Sequence, residues 1–491
     1  MHALAAVLAQ YAGLLDFADT STLVVRIPPP GTNEVTQSGQ PKKIVIASDL
    51  STAPSARLRL NARRWNFTLS YSPSITAPDV ELGFVPTVPP HPVEVLQNAY
   101  GLMAWRGRFV QVSISESGSY GGISYYQVAT GQVATPAGQT MIAGQSTGPG
   151  QSTGPGQPTA PGQGGAPVQP ATAPGQAANI HSTFLTFGSS TTIASVTARV
   201  GRNATLTASG GYIVSGGITD SAQSLIPEQY GPIATVSFSY APSLRDWLTT
   251  GATAQETVTS GACPPPSVEH CEERVPLGQV TETLRHRVSP GATLSLAAGA
   301  GITEGQILTS QQEDLLLVAS AGFDYRFGPG RTEALSFSVG LVPNIDFLTG
   351  LPRDLVQGLA SFSQPLSRTT LFTLSASAQQ SIPYLEPSGD GSFTWIHPYS
   401  FTSTTVGAGV RIRLDRVRSL GVNAQGLWQS QEGYGTIGSA TEFVSFTFDP
   451  QLTANVGLQT LWEDQEVTGV ANGTFTSGYV SIVVHSRPWR F

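Results

Sequence analysis

The chain has 491 residues, a net charge of −7 and only 12% charged residues. That balance excludes a general nucleic-acid partner. No stretch approaches the ~20 consecutive apolar residues that a membrane-crossing helix needs. A chain of this length that is 40% hydrophobic and carries 53 glycines is either two or three ordinary domains or one large sheet with apolar residues at every second position.

In chain order, residues 1–9 (Met1 to Ala9) read as the remnant of a secretory signal peptide, with Val7 and Ala9 at the −3 and −1 positions of a cleavage site. A short helix is the alternative. Residues 10–41 show no sustained alternation and are expected to lie outside the main fold. Period-2 alternation then recurs from residue 57 to the end. Leu58 and Leu60 alternate with Arg57 and Arg59; Trp65, Phe67, Leu69 and Tyr71 alternate with Asn66, Thr68 and Ser70. The same pattern returns at Val236 to Tyr240, Leu315 to Phe327, Leu335 to Leu341, Val410 to Leu414 and Leu452 to Leu458. The polar face carries Ser, Thr, Gly, Asn, Gln and Arg. Several apolar faces end in aromatics (Trp65, Phe327, Trp428), which suits membrane-interface girdles.

The connections alternate strictly between short and long. Short ones include Arg63-Arg64, Pro290-Gly291, Pro365 to Arg368 and Asp415 to Arg418; long ones fall near 76–95, 118–179, 260–277, 303–312, 381–399 and 431–439. A soluble sandwich also alternates along its strands but has no reason for this alternation of loop length. About 19 strands can be counted, and an even number is expected of a closed barrel. Either Lys43 to Ala47 is the missing one, giving 20, or the number is 18.

Residues 131–178 are low complexity, with Gly144-Gln145-Ser146-Thr147-Gly148-Pro149 repeating at Gly150. Such a tract buries too little apolar surface to fold, so disorder is expected. A neutral tether is one fate for it; a plug folded into the pore is another. The two cysteines, Cys263 and Cys271, read as one loop disulfide in an oxidising compartment. A metal site using both with His270 lacks an evident fourth ligand. Neither a metal nor a cofactor is expected.

Placing the apolar faces outward puts Arg57, Arg59, Arg199, Arg285, Arg287, Arg411 and Arg413 in the lumen, with Asp324, Arg326 and Asp415 near them. A ring of guanidinium groups attracts anions and stays charged at any working pH. A polar lumen that uses arginine as its default cation is the plainer reading. Acidic residues gather in the long loops and at their edges, for example Asp79, Glu228, Glu272, Glu386 and Glu463. No Gly-x-Ser-x-Gly elbow and no His-Glu-x-x-His occurs, so an enzyme is not expected.

The C-terminus, Val480 to Phe491 with its final aromatic, resembles the last strand of Gram-negative outer-membrane β-barrels. In that family the terminal aromatic, here Phe491, is the signal read by the barrel-assembly machinery. The phase slips at Pro488: Val480, Ile482 and Val484 share one face, Trp489 and Phe491 the other by simple alternation. The resemblance covers roughly residues 42–491. It implies an all-β fold, a single closed antiparallel transmembrane barrel of 18–20 strands with short periplasmic turns and long extracellular loops. On that reading 10–41 is an N-terminal periplasmic segment, 42–491 is the barrel, and 131–178 is an extracellular loop. Within the class, the strand number and the Arg57 to Leu60 and Arg411 to Leu414 segments are similar to large polysaccharide-export barrels such as the alginate-export porin. The implied location is the outer membrane. The implied partners are outer-membrane lipid and lipopolysaccharide, the assembly machinery, a periplasmic Wza-like export protein, and an anionic glycan or solute. No segment resembles the plug of TonB-dependent receptors. A surface-display barrel without transport and a barrel hydrolase are the competing functions.

Overall fold

The computed structural model describes residues 12–27, 47–77, 93–124, 184–223, 228–262, 270–307, 310–328, 332–345, 352–383, 401–431, 435–449, 451–464, 473–486 and 489–490. They form one antiparallel sheet of 23 hydrogen-bonded segments. Three pairs of segments are each one interrupted strand, which leaves a closed barrel of 20 strands. In order these are β1 (Ala12–Ile27), β2 (Ala47–Thr52 then Ser55–Asn61), β3 (Trp65–Tyr71 then Ser74–Ala77), β4 (Glu94–Arg106), β5 (Val110–Ser124), β6 (Phe184–Arg199) and β7 (Ala204–Gly217). There follow β8 (Glu228–Tyr240), β9 (Asp246–Ala262), β10 (His270–Ser289), β11 (Ala292–Ile307), β12 (Ser310–Phe327) and β13 (Glu333–Ile345). The wall is completed by β14 (Pro352–Pro365), β15 (Thr370–Pro383), β16 (Phe401–Arg413), β17 (Ser419–Gln431), β18 (Gly435–Asp449), β19 (Leu452–Asp464) and β20 (Gly473–His485, continued by Trp489–Arg490). A helical turn, Asp220–Gln223, follows β7.

Each strand pairs with its chain neighbours, and β20 returns to β1 through Thr22↔Ser481 and Leu23↔Val480. Closure pairs every ladder and leaves no edge, the condition for a sheet in lipid. The first strand corrects the expectation for 10–41: most of its first half is wall, not a periplasmic segment. It is also the strand missing from the sequence count. Residues 28–46 lie outside the described residues, and β2 begins only at Ala47.

Proline explains two of the interruptions. Pro54 breaks β2 and Pro73 breaks β3, since neither supplies an N–H to the ladder. The register is the same on both sides of the gap, Thr52↔Ile75 and Ala56↔Tyr71, so the two prolines stand opposite each other. The third interruption lies in β20. Its register with β1 changes from Val484↔Asp19 to Trp489↔Leu15, a slip of one residue between His485 and Trp489. This is the slip expected at Pro488; it returns position 489 to the sheet face of Val484.

The outer face is apolar. On β8 it reads Tyr240, Phe238, Val236, Ala234, Pro232 and Tyr230. The two tyrosines are ten residues apart, which at ~3.3 Å rise and ~40° tilt spans about 25 Å, the height of an outer-membrane apolar band. Trp65 and Phe327 sit on this face near the short turns, and Trp428 near the opposite end. Trp428 packs edge-on to Trp462 with ring centroids 5.4 Å apart.

The inner face is hydroxyl-rich. Ser113 meets Ser195 at 2.6 Å, Thr197 meets Thr207 at 3.1 Å, and Ser336 meets Ser361 at 2.6 Å, all cross-strand pairs. One sector departs from this pattern. Toward the long-loop end of β8, β10, β12, β13 and β14, the inward residues Ile233, Val275, Leu277, Leu316, Val318, Val342 and Leu355 are apolar and buried.

Several expected long loops are partly strand. Only residues 308–309 separate β11 from β12, and 432–434 separate β17 from β18. A bilayer needs about 10 residues of strand, whereas β10 has 20 and β12 has 18. Their surplus projects beyond the band, where pairing continues without an apolar face.

Candidate functional site: the arginine mouth

Most of the descending strands, those running toward the short turns, carry arginine at or near their ends. Arg57 and Arg59 close β2, Arg106 closes β4, Arg199 closes β6, Arg285 and Arg287 lie at the end of β10, Arg326 at the end of β12, and Arg411 and Arg413 close β16. Register places all of them on the inner face. Arg57 is the partner of Asp16 and Ser70, Arg106 of Gln111, and Arg199 of Thr205. Arg285 pairs with Ser295, Arg287 with Thr293, Arg326 with Ala334, and Arg411 with Leu371 and Gly421. A position at the strand end that faces water can hold a guanidinium without desolvation, while its long stem packs along the wall.

The seven arginines singled out from sequence therefore share one face at one end of the barrel. Arg106 joins them on that face; the arginine that recurs before most of the short turns is the sequence signal that points to it. Opposing them on this face at the same end are Asp16 and Asp324. Arg285 lies 5.8 Å from the Trp247 ring, and Arg287 Nη2 donates to the Pro290 carbonyl at 3.2 Å. Arg411 donates through Nε and Nη2 to Ser419 Oγ, both at 3.3 Å.

Further arginines sit on the short turns: Arg63, Arg64, Arg108, Arg202, Arg245, Arg368, Arg416 and Arg418. In the last of these turns Asp415 Oδ1 accepts from the backbone N–H groups of Val417 and Arg418, both at 2.7 Å. Those bonds, Arg418's first, hold the Asp415 carboxyl below the usual carboxylate range. At the far end, Arg274 is exposed on the outer face, within 4.0 Å of Glu256.

Among the described residues, His286 has a carboxylate partner. His286 Nδ1 lies 2.6 Å from Asp246 Oδ1, and Ser243 Oγ lies 2.5 Å from Asp246 Oδ2. The aspartate stands between serine and histidine, and the hydroxyl donates to the carboxylate rather than to the imidazole; these bonds fasten the turn between β8 and β9. Cys271 pairs by backbone with Gly261. Cys263, Phe491 and the 131–178 tract lie outside the described residues.

A closed antiparallel sheet with an apolar outer band, aromatic ends and a largely polar lumen defines an outer-membrane β-barrel of the Gram-negative type. A model described as the EpsX exopolysaccharide export family matches residues 129–315. Among solved structures, the F3-3 variant of the FrpB iron transporter from Neisseria meningitidis is similar at 9% identity and a TM-score of 0.53, covering 97% of this chain and 81% of that one. Its F5-1 variant aligns at 8% identity and 0.51, covering 97% and 82%. A mutant of the ferric enterobactin receptor PfeA from Pseudomonas aeruginosa aligns at 9% identity and 0.50, covering 96% and 80%. At these identities the likeness is one of fold. No curated protein matches the chain.

Proposed function

We propose that the barrel is an outer-membrane channel for an anionic solute, an acidic polysaccharide above all, which enters at the short-turn mouth and leaves among the long loops. The carrying observation is the charge of that mouth: nine inward arginines (57, 59, 106, 199, 285, 287, 326, 411 and 413) against Asp16 and Asp324. They occupy β2, β4, β6, β10, β12 and β16, so the field comes from most of the circumference. The match of 129–315 to an exopolysaccharide export family supports the glycan over a small ion. A periplasmic export protein that delivers the glycan to this mouth completes the reading, and the barrel itself conducts without a chemical step.

Reversal potentials across planar bilayers test it. At low salt the expected sign is anion-selective, and Arg411→Glu with Arg413→Glu moves it toward cations. Arginine does not titrate in the working range. Asp415 stays ionised below the usual carboxylate range, and protonating any acid only makes the mouth more positive. Selectivity is therefore expected to hold between about pH 8 and pH 5, the range in which a histidine-based site would change. Cation selectivity in the unmodified barrel defeats the proposal.

A further inference from the structure

At the edge of the mouth, two neighbouring turns flank an open pocket that shares Arg411 and Arg413 with it. The β14–β15 turn and the β16–β17 turn lie side by side because β15 pairs with β16 (Leu371↔Arg411), and Arg413 N donates to the Thr369 carbonyl at 2.6 Å. Between them is a pocket of about 310 Å³, at the lower end of small-ligand sites in size. Arg368, Arg411, Arg413, Arg416 and Arg418 all line it.

Both turns are built to hold their shape. Ser367 Oγ accepts from the N–H groups of Thr369 and Thr370 at 3.2 and 3.0 Å. Asp415 fixes the other turn through its two backbone bonds. The nearest counter-charge is the same Asp415, 3.6 Å from Arg418 Nε. Among the described residues no carboxylate pairs with Arg368, Arg413 or Arg416. Five guanidinium groups around one small volume repel one another, and an oxyanion placed among them removes that repulsion. Their planar forks match carboxylate or phosphate bidentately.

We propose that this pocket is an entry subsite that holds one carboxylate- or phosphate-bearing sugar residue of the glycan at the periplasmic mouth. The inference rests on the channel reading above. It commits to a soluble glycan rather than a lipid headgroup, because Leu371, Arg411, Arg413 and Ser419 line it from the inner face, which lipid does not reach.

The test uses the full chain in nanodiscs and trigalacturonate as the probe, with maltotriose as the neutral control. Arg368→Gln with Arg416→Gln is expected to weaken trigalacturonate binding roughly tenfold, as for loss of charge-assisted hydrogen bonds, and to leave the sign of ion selectivity unchanged. Arg57→Gln with Arg59→Gln, on another part of the wall, is expected to alter selectivity and leave that affinity unchanged. Equal weakening by both pairs overturns the subsite in favour of a diffuse field. Displacement of the probe when phosphatidylcholine is replaced by phosphatidylglycerol overturns it in favour of a lipid site. Anion-selective current with undiminished binding in the Arg368/Arg416 variant defeats the pocket alone; cation selectivity in the unmodified barrel defeats the channel beneath it.

Discussion

Glu442 faces outward from β18 between Ala424 and Leu458, within the apolar band. It has no hydrogen-bond partner among the described residues. Glu116 and Glu282 also face outward, the latter accepting from Thr250 at 3.2 Å. A charge on the lipid face costs stability according to depth, less for acids than for the ~2–4 kcal/mol of Arg or Lys at the midplane. Glu442→Leu is therefore expected to stabilise the barrel by about 1 kcal/mol, raising the temperature at which the compact form is lost in detergent gels. A lowered transition would mean that Glu442 has a partner that leucine cannot replace. These outward acids were not legible in sequence. Alternation assigns a face only where most residues on it agree, and one acid in a row of Val, Phe and Ala reads as noise.

The same limit explains the missing strand. The outward row of β1 is Leu15, Phe17, Asp19, Ser21 and Leu23, so its middle is polar and the alternation dissolves. The fold supplies what the pattern lacks: Asp19 accepts from Ser21 Oγ at 3.0 Å and from Thr52 Oγ1 at 2.9 Å. Many strands from β2 onward were legible because apolar residues outnumber polar ones on their outer faces. The inward apolar sector on β10 to β14 was hidden for the opposite reason, since Leu315 to Val318 is apolar on both faces and loses its period. Because β1 closes the cylinder, Thr22→Pro is expected to abolish assembly. Thr22 has strands on both sides, Ser51 and Ser481 being its partners, and proline removes a ladder hydrogen bond in a central strand. Thr22→Val keeps that bond and should still give the fast-migrating unboiled band. A fast band from the proline variant would show that closure tolerates the break, as β2 and β3 tolerate Pro54 and Pro73.

At the scale of the whole barrel, size limits what the arginines can do. Twenty strands at ~4.8 Å spacing and ~40° tilt make a backbone cylinder about 40 Å across. At physiological salt the screening length is only ~8 Å, so an open lumen of that width would leave its centre unaffected by charges on the wall. Two behaviours should then separate. Small-ion selectivity is expected to be weak at physiological salt and strong near 0.01 M, where screening extends to ~30 Å. A polyanion can run along the wall and meet many guanidinium groups at once, so its attraction should survive to higher salt. It should also depend on side, because the inward arginines and most turn arginines occupy one end, whereas sequence places acids such as Glu228, Glu386 and Glu463 around the other. Dextran sulfate added at the short-turn side is expected to block current at about tenfold lower concentration than from the loop side, and the difference should vanish near 1 M salt, where screening falls to ~3 Å. Equal block from both sides at low salt would mean that the arginine mouth does not govern entry.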